Sequence, residues 1–301
     1  MTTVPAFRYP GAWTGSTANM PQLAALSVDP ILVNGSLVLI DPSDTNLTWA
    51  AGNPASGAVL PNLAWDRATA VVGGITAPSQ LYCPYANLLI GTGESIFERS
   101  AKGGLHGIVS QTNSSNTSHY ASLRVAPAIE AYVNVNPNHS YYFSIWETVD
   151  RLSTATQWPV AGIYKSIAQT TNYAIYIQAG PSVGPAPGGG TRLGTRVSSG
   201  AYTALGSAFV NIAGSAWSGT LPAADVKAAL ALWGNVDAFG ASTVNKAASK
   251  IFYRAYLEDL TVSGRTYATV DAIDFGLYTT AFTTGGKFYG DTTPTAPGSL
   301  P

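Results

Sequence analysis

The sequence predicts a mainly-β chain: an antiparallel, jelly-roll-like β-sandwich with one or two accessory helices and extended terminal arms. Three observations carry that expectation. Short segments rich in Val, Ile, Tyr and Phe alternate with period two, as half-buried strands do. Turn residues separate these segments, with 31 Gly and 19 Pro spread over 301 residues. The chain is 46% apolar and 11% aromatic with only 10% charged residues, the opposite of a disordered composition.

The elements follow in chain order. Residues 1–30 show no periodicity and predict an extended N-terminal arm. Residues 31–80 form a hairpin and loop region, with Asn34-Gly35 as the turn inside Ile31–Ile40 and Asp41-Pro42-Ser43-Asp44 as further turn chemistry. The sandwich core is expected over 81–263. Within it, Ala128–Val135, His139–Thr148, Asn172–Gln178 and Lys250–Leu260 alternate as strands. Pro181–Gly190 is a loop. Pro222–Trp233 predicts a helix, with Val226, Leu230 and Trp233 at i, i+4 and i+7 and Gly234 as its stop. Residues 264–301 form a second helix, Thr266–Phe282, then a Pro-rich tail from Lys287 that is expected to need a neighbouring subunit to hold it. No repeat of fixed period is present, against a solenoid or propeller.

Composition also removes several function classes. A net charge of −1 supplies no basic field for nucleic acid. The longest apolar runs fall far short of the roughly 20 residues of a membrane helix. Met1–Tyr9 has no apolar signal region, and Cys83 is the one cysteine, so synthesis in a reducing cytoplasm is expected. Five Asn-x-Ser/Thr matches, at Asn34, Asn46, Asn113, Asn116 and Asn138, then reflect an Asn/Ser/Thr-rich surface.

No catalytic residue, metal ligand or cofactor is assigned, and the chain is expected not to be an enzyme. His106, His119 and His139 have no metal spacing and are expected at surface turns. There is no G-x-S-x-G elbow, and the neighbours of Cys83 supply no cation to activate it. Glu94 and Glu98 would lie about 13 Å apart on one strand face, too far for a hydrolytic carboxylate pair. Glu147 and Asp150, beside Arg151, suit a rim salt bridge as well as a catalytic pair. The Gly-rich PGGGTRLG stretch lacks the Lys-Ser/Thr of a phosphate loop. Aromatics are the stronger signal. Tyr142, Trp146, Trp158 and Tyr176 fall on the opposite phase to the apolar set and are the glycan-contact candidates, with a subunit interface as the competing role.

The segment Ile251–Pro297, IFYRAYLEDLTVSGRTYATVDAIDFGLYTTAFTTGGKFYGDTTPTAP, resembles virion structural proteins of tailed bacteriophages, of the tail-associated or tail-fibre type with a lectin-like sandwich. That resemblance implies a structural component of the tail, baseplate or fibre, made in the host cytoplasm and incorporated into the virion. Its partners would be copies of itself and other virion proteins, with a host surface glycan as a further one. A head-decoration protein or a free carbohydrate-binding module are the alternatives. The low charge fits large neutral interfaces.

Overall fold

The computed structural model describes residues 29–44, 54–136, 138–155, 158–165, 174–179, 192–193, 202–211, 226–235 and 243–301. The expected 1–30 arm, save its last two residues, and the Pro181–Gly190 loop lie outside them. Ile31–Pro301 forms one compact unit. The fold is mainly β, as the alternation predicts, and every strand pair is antiparallel among the described residues.

One sheet runs β10 (Arg192–Leu193), β11 (Tyr202–Asn211), β7 (Ser140–Arg151), β13 (Ser249–Asp259), β5 (Leu105–Val109), β4 (Ser95–Arg99). A further strand, β1 (Ser36–Ile40), pairs with the second half of β13. The other sheet runs β2 (Val59–Leu60), β3 (Cys83–Asn87), β6 (Tyr120–Arg124), β12 (Val226–Gly234), β8 (Trp158–Lys165), β9 (Ala174–Ala179). Between them lies the main core, where Tyr141, Phe143, Ile145 and Val149 of β7 meet Leu230, Trp233 and Trp158. Edge-to-face ring contacts tie Trp233 to Phe97 at 5.5 Å and to Phe252 at 6.4 Å. A buried ion pair, Lys250 Nζ to Glu147 Oε2 at 2.9 Å, sits in the same layer against Trp233.

Two expected elements exchange type. Ala128–Val135 belongs to a helix, α2 (Pro127–Val135), because Pro127 supplies a pre-set first turn and Ile129 and Val133 bury one face. A spacing of four satisfies both periods, but Val135 of the supposed apolar face is 69% exposed while Glu130 and Asn134 of the opposite face are buried. Conversely, Val226–Trp233 is the strand β12 rather than a helix. It lies between β6 and β8 and is buried on both faces from Ala228 to Trp233, so it reads as a continuous apolar run that periodicity cannot separate from a helix. Gly234 does end the element, at φ +83°, where a Cβ would stand 2.8 Å from the His119 carbonyl oxygen. The 31–80 region also carries more structure than a loop. It adds α1 (Trp65–Val72), and Asn62 stitches it to β1 through the Leu39 N–H and the Leu37 carbonyl.

The first sheet is covered on its outer face. A short turn of helix, α3 (Leu260–Ser263), leads into α4 (Tyr267–Phe282), which Thr266 caps by accepting the Thr269 N–H. Val270, Ile273, Leu277 and Ala281 lie along its sheet-facing side, as expected. The same side carries Asp274, fully buried, which accepts from Tyr142 Oη, Ser144 Oγ and Trp146 Nε1. Burial lifts the Asp274 carboxyl above the usual range against the pull of Arg254 and these donors. This cover corrects the glycan-contact candidates. Tyr142 and Trp146 point outward from β7 but are 0% and 3% exposed beneath α4. Trp158 is 5% exposed and belongs to the inner core. The side chain of Tyr176 lies outside the described residues. In β7 the phase expected to meet solvent faces a third layer, α4.

The tail is likewise held by its own chain rather than needing a neighbour. Thr295 donates to Glu98 through its N–H at 2.9 Å and its hydroxyl at 2.7 Å, and the Ala101 and Gln111 N–H groups donate to the Thr292 and Pro301 carbonyls. Phe288 is 2% exposed against Tyr253.

Candidate functional site

Where α4 ends and the tail turns back, a cleft of about 440 Å³ opens on the outer face of the first sheet. Thr148 of β7 and Thr203 of β11 form its floor, their hydroxyls 2.7 Å apart. Tyr253 enters from β13, Tyr278 and Phe282 from α4, and Phe288, Tyr289, Gly290 and Asp291 from the tail. Its lining is about evenly polar and apolar, so it joins aromatic faces to convergent polar groups as small-ligand sites do.

Local backbone features build the cleft. A β-bulge in β13 sets Phe252 opposite Glu147 and Arg254 opposite Trp146, leaving Tyr253 as the extra residue. The expected single face of Ile251, Tyr253, Ala255 and Leu257 is therefore split. Ile251 and Tyr253 face outward, while Ala255 and Leu257 return to the inner core. Arg254 stacks over Trp146, 4.7 Å from the ring centroid. The return of the tail depends on Gly286, where a Cβ would lie 2.2 Å from the Thr280 carbonyl oxygen. Phe288 then closes onto α4 by donating its N–H to Ala281.

The aromatic wall is continuous. Tyr253 stands 4.6 Å from Phe288 and 5.0 Å from Phe282, and Tyr278 stands 4.9 Å from Phe282. Tyr289 is 49% exposed, the most available ring of the five. Burial raises the Tyr253 hydroxyl well above the usual tyrosine range, and the Asp291 charge adds to it. Asp291 Oδ1 accepts the Lys102 and Thr292 N–H groups, and Oδ2 is buried.

Beneath the tail lies a charged relay. His106, 0% exposed rather than at a surface turn, places Nδ1 2.9 Å from Glu98 Oε1 and Nε2 2.9 Å from Asp150 Oδ2. The Nδ1 contact is a hydrogen bond; the Nε2 contact has ion-pair distance without that alignment. Burial alone would lower the His106 pKa, but the pull of the Asp150 carboxylate and then of Glu98 outweighs it and the net shift is upward. Burial would raise Glu98, yet bonds from Thr295 and His106 hold it below the usual range. His106 contributes stability that is lost as pH rises through its raised pKa, and Glu98 contributes stability lost as pH falls through its lowered one. Protection factors for amide exchange across 288–301, taken against the intrinsic rate at each pH, should therefore be highest between those two limits and lower on both sides. In His106→Gln the alkaline limb should vanish; an unchanged limb would show that another group controls the tail.

The carboxylate pairs do not meet. Glu94 precedes β4 and accepts from His119 Nδ1 at 2.9 Å, whereas Glu98 binds His106 and the tail. Glu147 and Asp150 occupy opposite faces of β7, one against Lys250 and the other against His106. His139 lies against the buried Asp259, which also accepts from Tyr132. Among the described residues no group of three His, Cys, Asp or Glu side chains could hold a metal ion, and no helix is long and apolar enough to cross a membrane. Burial pushes the Cys83 thiol up to about 12. Iodoacetamide at pH 8 should leave Cys83 unmodified in the folded chain and alkylate it in urea; native labelling at a comparable rate would contradict its placement. The cleft residues escaped notice because the bulge at Tyr253 leaves no mark in the alternation. The pairing of Tyr278 with Phe282 at i, i+4, followed by Phe288-Tyr289 after two glycines, is the signal that could have found them.

No protein-family model matches the chain, and no curated protein matches it. The solved structures similar to it include a Trypanosoma rangeli sialidase in complex with sialic acid, at 12% identity and TM-score 0.36, over 81% of this chain and 34% of that one. The same enzyme as its covalent intermediate with 2,3-difluorosialic acid matches at 13% identity and TM-score 0.29, over 79% and 34%. The chain thus spans about a third of the length of these sialidases, and likeness at this level carries neither activity nor ligand across. The matches are to an enzyme, however, so the expectation that this chain is not an enzyme is withdrawn.

Proposed function

We propose that the chain is a structural component of a tailed-phage virion, in the tail, baseplate or fibre, and that it serves host attachment by binding a surface saccharide in the aromatic cleft. The observation that carries the binding role is the cleft itself. Five aromatic rings, one of them half exposed, border two threonine hydroxyls and a carboxylate. Aromatic faces take the apolar C–H faces of sugar rings, and hydroxyls and carboxylates take their O–H groups. The virion role draws on the resemblance of Ile251–Pro297, and that same segment supplies seven of the nine residues that line the cleft. A chain with 10% charged residues also suits packing among copies of itself and other virion proteins.

Two measurements test the two halves. Immunogold labelling of purified particles should place gold at the tail or its tip; protein that stays soluble while particles remain unlabelled would remove the virion role. The purified chain should adsorb to host envelopes, and Tyr289→Ala should weaken adsorption about tenfold, the loss of one stacking partner. Equal adsorption by both proteins would remove the cleft from attachment.

A further inference from the structure

Building on the saccharide reading of the cleft, we infer that the site selects uncharged or amino-bearing sugars and rejects acidic ones. Among the described residues the lining holds one carboxylate, Asp291, and no lysine or arginine. A second carboxylate, Asp150, is close enough to act on the same Tyr253 hydroxyl. Three of the described cations around the cleft have other partners. Arg254 lies over Trp146 and faces Asp274. Lys287 Nζ bonds Asp41 Oδ2 at 2.7 Å, and Arg151 donates to the Leu300 and Val109 carbonyls. Lys102 meets Asp291 through its backbone N–H.

The chemistry of the ligand follows from that balance. Recognition of a uronate or other sugar carboxylate calls for a cation, and arginine is the usual one because its planar fork matches the carboxylate. In this cleft the incoming carboxylate would instead meet Asp291 among aromatic walls, where reduced dielectric strengthens the repulsion. A neutral hexose or N-acetylhexosamine brings no charge to oppose. Its hydroxyls can bond the Thr148–Thr203 pair on the cleft floor. An acetamido methyl suits the partly exposed Phe282 face, and a free amino group gains from the nearby Asp291 charge.

The test is a glycan array printed with neutral, amino-bearing and acidic saccharides of matched length, probed with the full chain at low salt and again at 0.5 M salt. Bound glycans are expected among the neutral and amino-bearing classes, with acidic counterparts at least about tenfold weaker. In Asp291→Asn the acidic class should gain and the amino-bearing class lose, and salt should narrow the gap in the wild type. Acidic glycans bound as well as neutral ones, with both lost in Tyr289→Ala, would overturn the charge selection and leave the saccharide site standing. No bound glycan, or binding indifferent to Tyr289→Ala, would overturn the site and its selection together.

Discussion

Asp274→Ala should cost about 3–5 kcal/mol of folding stability, the range seen when one partner of a buried charged network is removed. Three donors, Tyr142 Oη, Ser144 Oγ and Trp146 Nε1, lose their acceptor at once, and Arg254 loses the carboxylate that faces it. No water replaces them cheaply, because Asp274 is 0% exposed and the rings around it pack against Tyr278 and Phe282. Urea unfolding of wild type and variant measures the loss. α4 should exchange its amides faster in the variant even where the sheets hold. A change under about 1 kcal/mol would mean that apolar packing alone holds α4 to the sheet.

The second large effect is deletion of Lys287–Pro301. Burying Phe288 contributes about 1.5–3 kcal/mol. Removing the tail also strips the half-buried Glu98 of both Thr295 donors and the half-buried Arg151 of the Leu300 carbonyl, at about 1 kcal/mol for each bond lost. Thermal unfolding should move down by roughly 10 °C, taking a few degrees for each kcal/mol in a chain of this size. Saccharide binding should be lost completely, because four of the nine lining residues go with the tail. A truncated chain that melts like the wild type and still binds would show that the tail neither anchors on the sheet nor forms a wall of the site.

The fold class was legible in the sequence because it rests on many independent signals. β7 and β13 alternate over ten or more residues, and α4 combines a threonine cap, a four-residue apolar stripe and a glycine stop. Short apolar stretches were not legible in the same way. Ile129 and Val133 fit a strand and a helix equally, and the run in β12 has no polar face from which to read a period. The site failed for a different reason. Tyr142 and Trp146 were placed on the correct outer face of β7, but period two says only which residues share a face and not what covers it. The cover comes from α4 and the tail, more than a hundred residues further on. Likewise, nothing in the local pattern marks the bulge that turns Tyr253 outward, or the pairing of His106 with Asp150, which β13 brings together by pairing with both β5 and β7.

The most direct test of the central claim is to locate the bound sugar. Aromatic carbon–proton spectra of the chain, recorded through a titration with the strongest array ligand, should shift Tyr289, Tyr278 and Phe288 together along one saturable curve. Rings enclosed between the sheets, such as Phe97 and Trp233, should stay in place. Saturable shifts centred on another part of the surface, with Tyr289, Tyr278 and Phe288 unmoved, would contradict the assignment of the cleft.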